Sequence, residues 1–490
     1  MSSLEEIRAT RLKKLQLLRD KGMNPYPVST RTSATLAEAA ENFKKLAKKK
    51  ELILSGRIMA LRGQGGLVFA DFFDGTGKFQ ALIKKDKLSD DLFKLWNDTV
   101  DIGDFVEARG ALFLTKREEK TLLVKEWRML TKTLRSLPEK WHGITDTEER
   151  FRKRYLDLLM NEEVRARFIL RSRIVSTLRR LLDAEEFLEV ETSILQELAG
   201  GANAEPFITR HNALDVDLYL RIAPELDLKK LLIGGFPKVY EIGRSFRNEG
   251  IDVTHNPEFT TVEWYEAYSD SAKQQVLVER VLKDIVESVH GKPPVTFDKN
   301  ELDFGKPFTR ATYFELLQRY ALIPHPEKCT HDELFLKAAQ LGVKSDAADS
   351  AEKIMDSIYK KAIRPKLIQP TIITEYPKNY IPLAKKKEGD ETLVDAFQVV
   401  VGGLEIVKAF SELNDPLDQR ERFWVQEKNK KAGDREAQPS DEAFLEALEY
   451  GMPPAGGLAI SIDRMTMLLS NARNIREVIF FPMLRSKGNG

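Results

Sequence analysis

Residues Phe246–Tyr268 read FRNEGIDVTHNPEFTTVEWYEAY. Arg247 and Glu249 are two apart, so on a strand their side chains leave the same face. Gly250, Asp252, Asn256 and Pro257 are turn formers, and the chain is expected to loop there. A second strand then carries Phe259, Thr261, Glu263 and Tyr265 on one face and Val262 and Trp264 on the other. The predicted hairpin presents a guanidinium, two carboxylates, a ring and a phenol together, with His255 in its loop. An ordinary half-buried hairpin sets apolar residues against indifferent polar ones. Here both faces are specified, which points to a ligand.

Around this stretch lie 490 residues, 42% of them apolar, enough for about two to four domains with real cores. The net charge of +1 hides clustering, because basic residues crowd the first 50 positions and acidic ones balance them later. A single cysteine, Cys329, excludes an intrachain disulfide framework and suits a reducing compartment. No apolar run approaches the roughly 20 residues of a membrane span. The N-terminal residues lack the apolar core of a secretory signal. A soluble, cytoplasmic protein without membrane contact is expected.

Taken in order, residues 1–50 form a basic helical arm, with helices predicted over Leu4–Lys21 and Ala34–Lys50. Such lysines are either a solvated face or a phosphate-facing one. Residues 51–135 switch to five short β segments separated by turns such as Asp74-Gly75-Thr76-Gly77, the pattern of a small oligonucleotide-binding (OB-fold) barrel. Phe69 and Phe73 flank its second strand. They are either stacking platforms for bases or barrel filling, and residue type alone favours filling. A linker is expected at 136–155 and a large α+β domain at 156–490, with a helical insertion at about 294–365. Gly402-Gly403 between DAFQVVV and LEIVKAF is a strong hairpin signal.

Three stretches resemble, in order, the signature motifs of class II aminoacyl-tRNA synthetases: EFLEVET the dimer-interface motif, FRNEG…HNPEFT the arginine hairpin, and GGLAISIDR the closing motif. Within that class the chain is most similar to the bacterial-type lysyl-tRNA synthetases, through GGANAEPFITRHNALDVDLYLRIAPEL, ITEYP, FSELNDPLDQRERF and IREVIFFPMLR. The resemblance runs from about Leu52 to Arg485. It implies an N-terminal OB-fold for the anticodon, then a catalytic domain built on an antiparallel sheet flanked by helices. The implied partners are ATP with Mg²⁺, L-lysine, tRNA(Lys) and a second copy of the chain.

The implied chemistry suits the residues. Lysine's carboxylate attacks the α-phosphate of ATP, and no general base is needed because the nucleophile is already ionised. Arg247 suits that phosphate and Arg464 the triphosphate, as the two catalytic groups. Glu249 accepts from the adenine amino group, Phe259 offers the purine a face, and His255 meets the β- and γ-phosphates. Glu405 and Gln398 stand at the metal positions. For lysine the resemblance implies Gly201, Glu225, Glu263, Tyr265, Lys408, Phe410 and Glu412, with Glu225 and Glu412 gripping the ammonium. In the barrel, Arg57, Phe69, Phe73 and Glu119 fall at anticodon-reading positions.

The chain departs from the family pattern at several places. Ser193 replaces a proline in the dimer motif, Gln398 a carboxylate, Lys408 an asparagine, Phe73 a glutamine, and Ala459 and Ser461 two glycines. Three other readings compete. One is a ligase that passes lysine or a lysine isomer to a protein acceptor, towards which Ala459 leans. Another is an aspartyl- or asparaginyl-type synthetase, which Lys408 favours and Glu225 opposes. The third is a noncatalytic nucleic-acid-binding paralogue, which retention of Arg247, Glu249, Phe259, Glu405 and Arg464 opposes.

Overall fold

Leu52, Leu54 and Ile58, then Val68, Ala70 and Phe72, recur at every second position, the period that turns one strand face inward. In the computed structural model, which describes residues 4–138, 146–431 and 437–485, all six are buried. Residues 139–145, inside the expected linker, lie outside the described residues. Contacts divide the chain into two units, Met1–Thr145 and Asp146–Gly490.

In the first unit, β1 (Leu52–Gln64), β2 (Leu67–Phe73), β3 (Lys78–Lys84), β4 (Phe105–Leu114) and β5 (Lys120–Thr131) close a barrel in the order β1-β2-β3-β5-β4. Phe72 fills it. Phe69 and Phe73 are partly exposed on the outside, so the filling role favoured by residue type is not theirs. Strand pairing aligns Phe105, Arg57, Phe73 and Lys78 in one row, with the Arg57 guanidinium 4.3 Å from the centre of the Phe105 ring. The helix expected to reach Lys50 breaks into Leu36–Glu41 and Phe43–Leu46. Leu4–Asp20 is one helix, seated by Leu15 and Leu18. Its Arg11 is buried and donates to the carbonyls of Ile102, Thr133 and Arg135, so this charge is structural.

In the second unit, β6 (Leu188–Glu189), β7 (Lys238–Phe246), β8 (Glu258–Ala267), β9 (Thr309–Thr312), β10 (Thr371–Pro377), β11 (Asp390–Val401), β12 (Leu404–Ser411) and β13 (Ala455–Ser461) build one large sheet. The order is β9-β10-β11-β12-β13-β8-β7-β6, antiparallel except for the outermost pair at each edge. Gly402 and Gly403, with φ of 58° and 77°, make the tight β11–β12 turn that left-handed backbone allows. Val262, Trp264, Val399, Val407 and Ile460 on one sheet face share a core with Ile174 and Leu178 of helix Glu162–Ala184 and Val278 and Leu282 of helix Ser271–His290. The opposite face is left for the site.

Two expectations need correction. β7 ends at Phe246, so Arg247 and Glu249 lie in the connecting loop rather than on a strand; only the Arg247 N–H, 2.8 Å from the Pro257 carbonyl, continues the pairing. The segment 294–365 is not helical throughout. Val295–Phe297, Asn300–Leu302 and β9 are strands, β9 belongs to the large sheet, and helices begin at Tyr313.

Glu107 of β4 is buried in the barrel wall. Burial alone would raise its pKa, but hydrogen bonds from Arg128, the Arg31 N–H, Thr30 and the Arg31 side chain outweigh that and hold it at about 2. Its contribution to stability is therefore full above pH 4.5 and lost as pH falls from there towards 2. Glu107→Gln should destabilise the barrel by about 2 kcal/mol at pH 7. Hydrogen exchange of the β4 and β5 peptides measures this, and the gap from wild type should narrow by pH 4.

Candidate active site

Residues paired across adjacent strands point to the same side of a sheet. One row across the open face therefore reads Gln398, Lys408, Ala459, Glu263, Glu241, and the next Ala396, Phe410, Gly457, Tyr265, Val239. Glu405 joins this face only because β12 is irregular. It lies three residues from Lys408, and in an unbroken strand the two would point to opposite sides. The register jumps from Val399↔Val407 to Val400↔Glu405, leaving Ile406 extra. This β-bulge turns Ile406 and Val407 both into the core and Glu405 and Lys408 both towards the site.

At one end of the face, Glu225, Glu263 and Glu412 are 7%, 6% and 1% exposed. Three buried carboxylates demand compensation. Lys229, wholly buried, supplies it: its Nζ lies 2.7 Å from Glu225 Oε1 and 2.5 Å from Glu412 Oε2, between the rings of Phe410 and Phe444. Burial lowers the Lys229 pKa less than the two carboxylates raise it, so it stays an ammonium. One cation among three acids leaves the pocket short of positive charge. Burial and then the charge of Glu225 push the Glu263 carboxyl up to about 8, against Arg247. Burial also raises Glu412.

Glycines shape this end. A Cβ on Gly457 would collide with Glu412 Oε1 and the Tyr265 ring, and one on Gly201 would sit 3.1 Å from the Glu225 Cβ. The Tyr265 hydroxyl lies 3.3 Å from Glu263 Oε2. Behind them, buried Arg221 ties three segments together through Glu241 (2.5 Å), Thr192 Oγ1 (3.0 Å) and the Arg244 carbonyl (2.9 Å).

The other end is cationic. Arg247 stacks 5.0 Å above the Phe259 ring and has no carboxylate partner among the described residues; its Nε is buried without a hydrogen bond. Arg464, capped into its helix by Ser461, donates to the Glu405 carbonyl at 2.9 Å and to His255 Nε2 at 3.1 Å. His255 Nδ1 faces Asp252 at 2.8 Å. That partner fixes the proton on Nδ1, so Nε2 accepts from Arg464. Arg364 lies 3.6 Å from Glu405. Glu249 is exposed in the loop without a hydrogen bond among the described residues. Gln398 accepts from the Tyr359 hydroxyl at 3.4 Å. No group of three metal-ligating side chains occurs among the described residues.

The second unit thus brings Arg247, His255, Phe259, Glu405 and Arg464 to one end of the face, and Gly201, Glu225, Glu263, Tyr265, Phe410 and Glu412 to the other, with Lys408 in the row between them. Arg57, Phe69, Phe73 and Glu119 belong to the first unit. Sequence reasoning overlooked Lys229 and Arg221, and named Asp252 only as a turn former. Lys229 carried a signal, the four-residue helical spacing from Glu225 that brings the two side chains together. Arg221 carried none, since its partners are scattered along the chain.

A family model described as tRNA synthetases class II (D, K and N) matches residues 146–485, and one for an OB-fold nucleic acid binding domain matches 52–130. The chain is 44% identical over 486 residues to a lysine–tRNA ligase of Pelotomaculum thermopropionicum, spanning 99% of this chain and 96% of that one. It is 45% identical over 488 residues to a lysine–tRNA ligase of Chloroflexus aurantiacus, spanning 99% of each. A lysine–tRNA ligase of Nostoc is 42% identical over 499 residues, spanning 99% of this chain and 89% of that one.

Lys229→Met should leave Glu225 and Glu412 buried without a counter-ion and destabilise the Glu225–Ile233 helix by about 3 kcal/mol at pH 7. The loss should be smaller at pH 5, where the Glu412 carboxyl, its pKa raised by burial, is protonated. Hydrogen exchange at the two pH values measures both.

Proposed function

The chain belongs to the class II tRNA synthetases of the D, K and N group, and within it to the lysine–tRNA ligases; on that premise we propose that it activates L-lysine with ATP and transfers it to the 3′-terminal adenosine of tRNA(Lys). The observation that carries this reading is the division of one sheet face into a buried acidic pocket and a cationic end with an unpaired arginine. An acidic pocket selects a cationic side chain. A substrate of the aspartyl or asparaginyl type would leave Glu225 and Glu412 facing the wrong charge or none.

Lysine's side-chain ammonium goes to Glu225 and Glu412, its stem lies against Phe410, and its α-ammonium meets Glu263 beside Tyr265. Two ammonium groups added to Lys229 balance the three carboxylates. The substrate thus completes the charge that the pocket lacks. Arg247 takes the α-phosphate, Phe259 and Glu249 the adenine, and Arg464 with His255 the β- and γ-phosphates. The lysine carboxylate oxygen then bonds to the α-phosphorus as the bridging oxygen leaves with pyrophosphate. Orientation and charge neutralisation, not proton transfer, accelerate this step.

On this reading the ATP is bound together with Mg²⁺, as the family resemblance implies. Glu405 fits such an ion, because a carboxylate together with substrate phosphates is a usual Mg²⁺ environment. Gln398 fits poorly: it is neutral, is engaged by Tyr359, and has Lys408 directly across the strand pair. Glu405 is the residue that would hold such an ion, which when bound with ATP would screen phosphate charge.

The barrel favours a tRNA acceptor over a protein one. Outward-facing Phe69 and Phe73, with Arg57, offer a stacking surface for unpaired anticodon bases, and Glu119, in the turn before β5, is the further anticodon residue that the resemblance implies. Exposed Lys44, Lys45, Lys48, Lys49 and Lys50 suit the phosphate backbone. We assign the enzyme to a homodimer, which would cover exposed Leu188, Ile194, Leu195 and Leu198 in and beside the dimer-motif segment. Its work is cytoplasmic, and no helix among the described residues is long and apolar enough to cross a membrane.

Pyrophosphate exchange measured with each of the twenty amino acids should respond to lysine alone, and Arg247→Ala should lower that exchange at least a hundredfold; preference for another amino acid would refute the assignment. The pH dependence has a defined sign. Glu263 is protonated below about pH 8 in the free pocket and must ionise to hold an ammonium. The KM for lysine should therefore fall from pH 6.5 to 8.5, by up to about tenfold per unit below pH 8. Glu263→Gln should flatten that profile.

A further inference from the structure

Lys408 makes no hydrogen bond or ion pair among the described residues, although it stands on the working face of the sheet. Its strand neighbours Val407 and Ala409 are buried while its own side chain is open to solvent, so it points into the cleft. Across β11 it faces the neutral Gln398, and across β13 only the methyl group of Ala459 separates it from the Glu263 strand. The bulge at Ile406 sets Glu405 beside it on the same face.

Lys408 therefore belongs to neither end alone. Its pKa is lowered, first by desolvation within the cleft, and the charged groups that act on it come from both ends: Glu405 and Glu225 favour its ammonium, Arg247 and Lys360 oppose it. Expected at first among the lysine-binding residues, it is badly suited to that task, because a cation repels a cationic substrate. The pocket already has its own ammonium in Lys229.

We propose that Lys408 is a further catalytic cation, the second at the α-phosphate beside Arg247, its ammonium donating a hydrogen bond to a non-bridging oxygen of the ATP α-phosphate at the border between the acidic pocket and the cationic end. This rests on the reading of the site given above. Activation brings two anions together, the lysine carboxylate and the α-phosphate. As the new oxygen–phosphorus bond forms and the bond to the pyrophosphate oxygen breaks, negative charge builds on the non-bridging oxygens. One guanidinium faces that charge from the hairpin loop. Lys408 faces it from the middle of the sheet, held by strand pairing on both sides. A preorganised cation aimed where charge develops stabilises the transition state more than the bound substrates.

The test measures lysine-dependent pyrophosphate exchange by the full chain carrying Lys408→Met, Lys408→Gln or Lys408→Arg, with lysine binding followed separately by calorimetry. The Met and Gln variants should lose about a hundredfold in kcat, with the lysine Kd and ATP KM within about threefold of wild type. The Arg variant should recover to within about tenfold of wild type, since it restores the charge. All three should melt at the wild-type temperature, because Lys408 has no partner to lose. Unchanged kcat in Met and Gln would overturn the proposal, and so would tighter lysine binding at unchanged kcat, which would make Lys408 a repulsive wall of the pocket. Absence of lysine-dependent exchange in the wild type would instead sink the underlying assignment, so the two failures are distinct.

Discussion

The buried contact of Lys229 with Glu225 and Glu412 is what the rest of the site is arranged to permit. Two carboxylates brought out of water at this spacing would repel each other and forfeit hydration worth several kcal/mol apiece. An ammonium 2.7 Å from one and 2.5 Å from the other makes the arrangement tolerable. One ammonium does not serve three carboxyls, and the free pocket meets the shortage by holding a proton on Glu263, whose pKa is raised to about 8. The pocket remains electrostatically incomplete, and the substrate supplies what is missing. Selectivity of this kind comes from how the free site is charged as much as from contacts made in the complex.

The sheet allows such a pocket because its two faces do different work. One face holds Val262, Trp264, Val407 and Ile460 against two long helices, and that burial anchors the strands whatever the other face carries. The other face is free to hold charge, and its register puts residues far apart in sequence into single rows. Glu263 and Lys408 are 145 positions apart in numbering yet lie in one row with only Ala459 between them. Gly457 in the next row works by what it lacks, since its missing side chain is the space that Glu412 and Tyr265 occupy.

Opposite charges are kept at opposite ends of the same surface. Glu225, Glu263 and Glu412 gather at one end, and at the other Arg464 and Arg364 act on Glu405 while Arg247 lies over the Phe259 ring. Amino-acid activation needs this separation, since a cationic side chain and a polyanionic nucleotide must be held a few ångströms apart without exchanging places. Gln398 and Lys408 shift the border of this chain's site towards positive charge through protein side chains, where a carboxylate and an amide would have done otherwise.

Much of this was legible in the chain itself. Two-residue alternation fixed which face of Phe259–Tyr265 would meet the core, turn residues marked Gly402-Gly403, and the order of the motif stretches carried the family and its barrel. Local signals suffice there because period, turn chemistry and composition act between near neighbours. Other features depended on distant segments meeting. The bulge at Ile406 that brings Glu405 and Lys408 to one side is a matter of pairing register, which β12 alone does not contain. The outward turn of Phe69 and Phe73 follows from barrel closure, against what their apolar character suggests. Whether Glu225 and Glu412 would be bare or bridged was decided by the packing of helix Glu225–Ile233 against the end of β12. The sequence determined which charges this protein owns and the elements that carry them; the tertiary structure decided which of them are neutralised from within and which await a ligand, because electrostatic energy depends on distance and burial, and neither exists until the strands are paired.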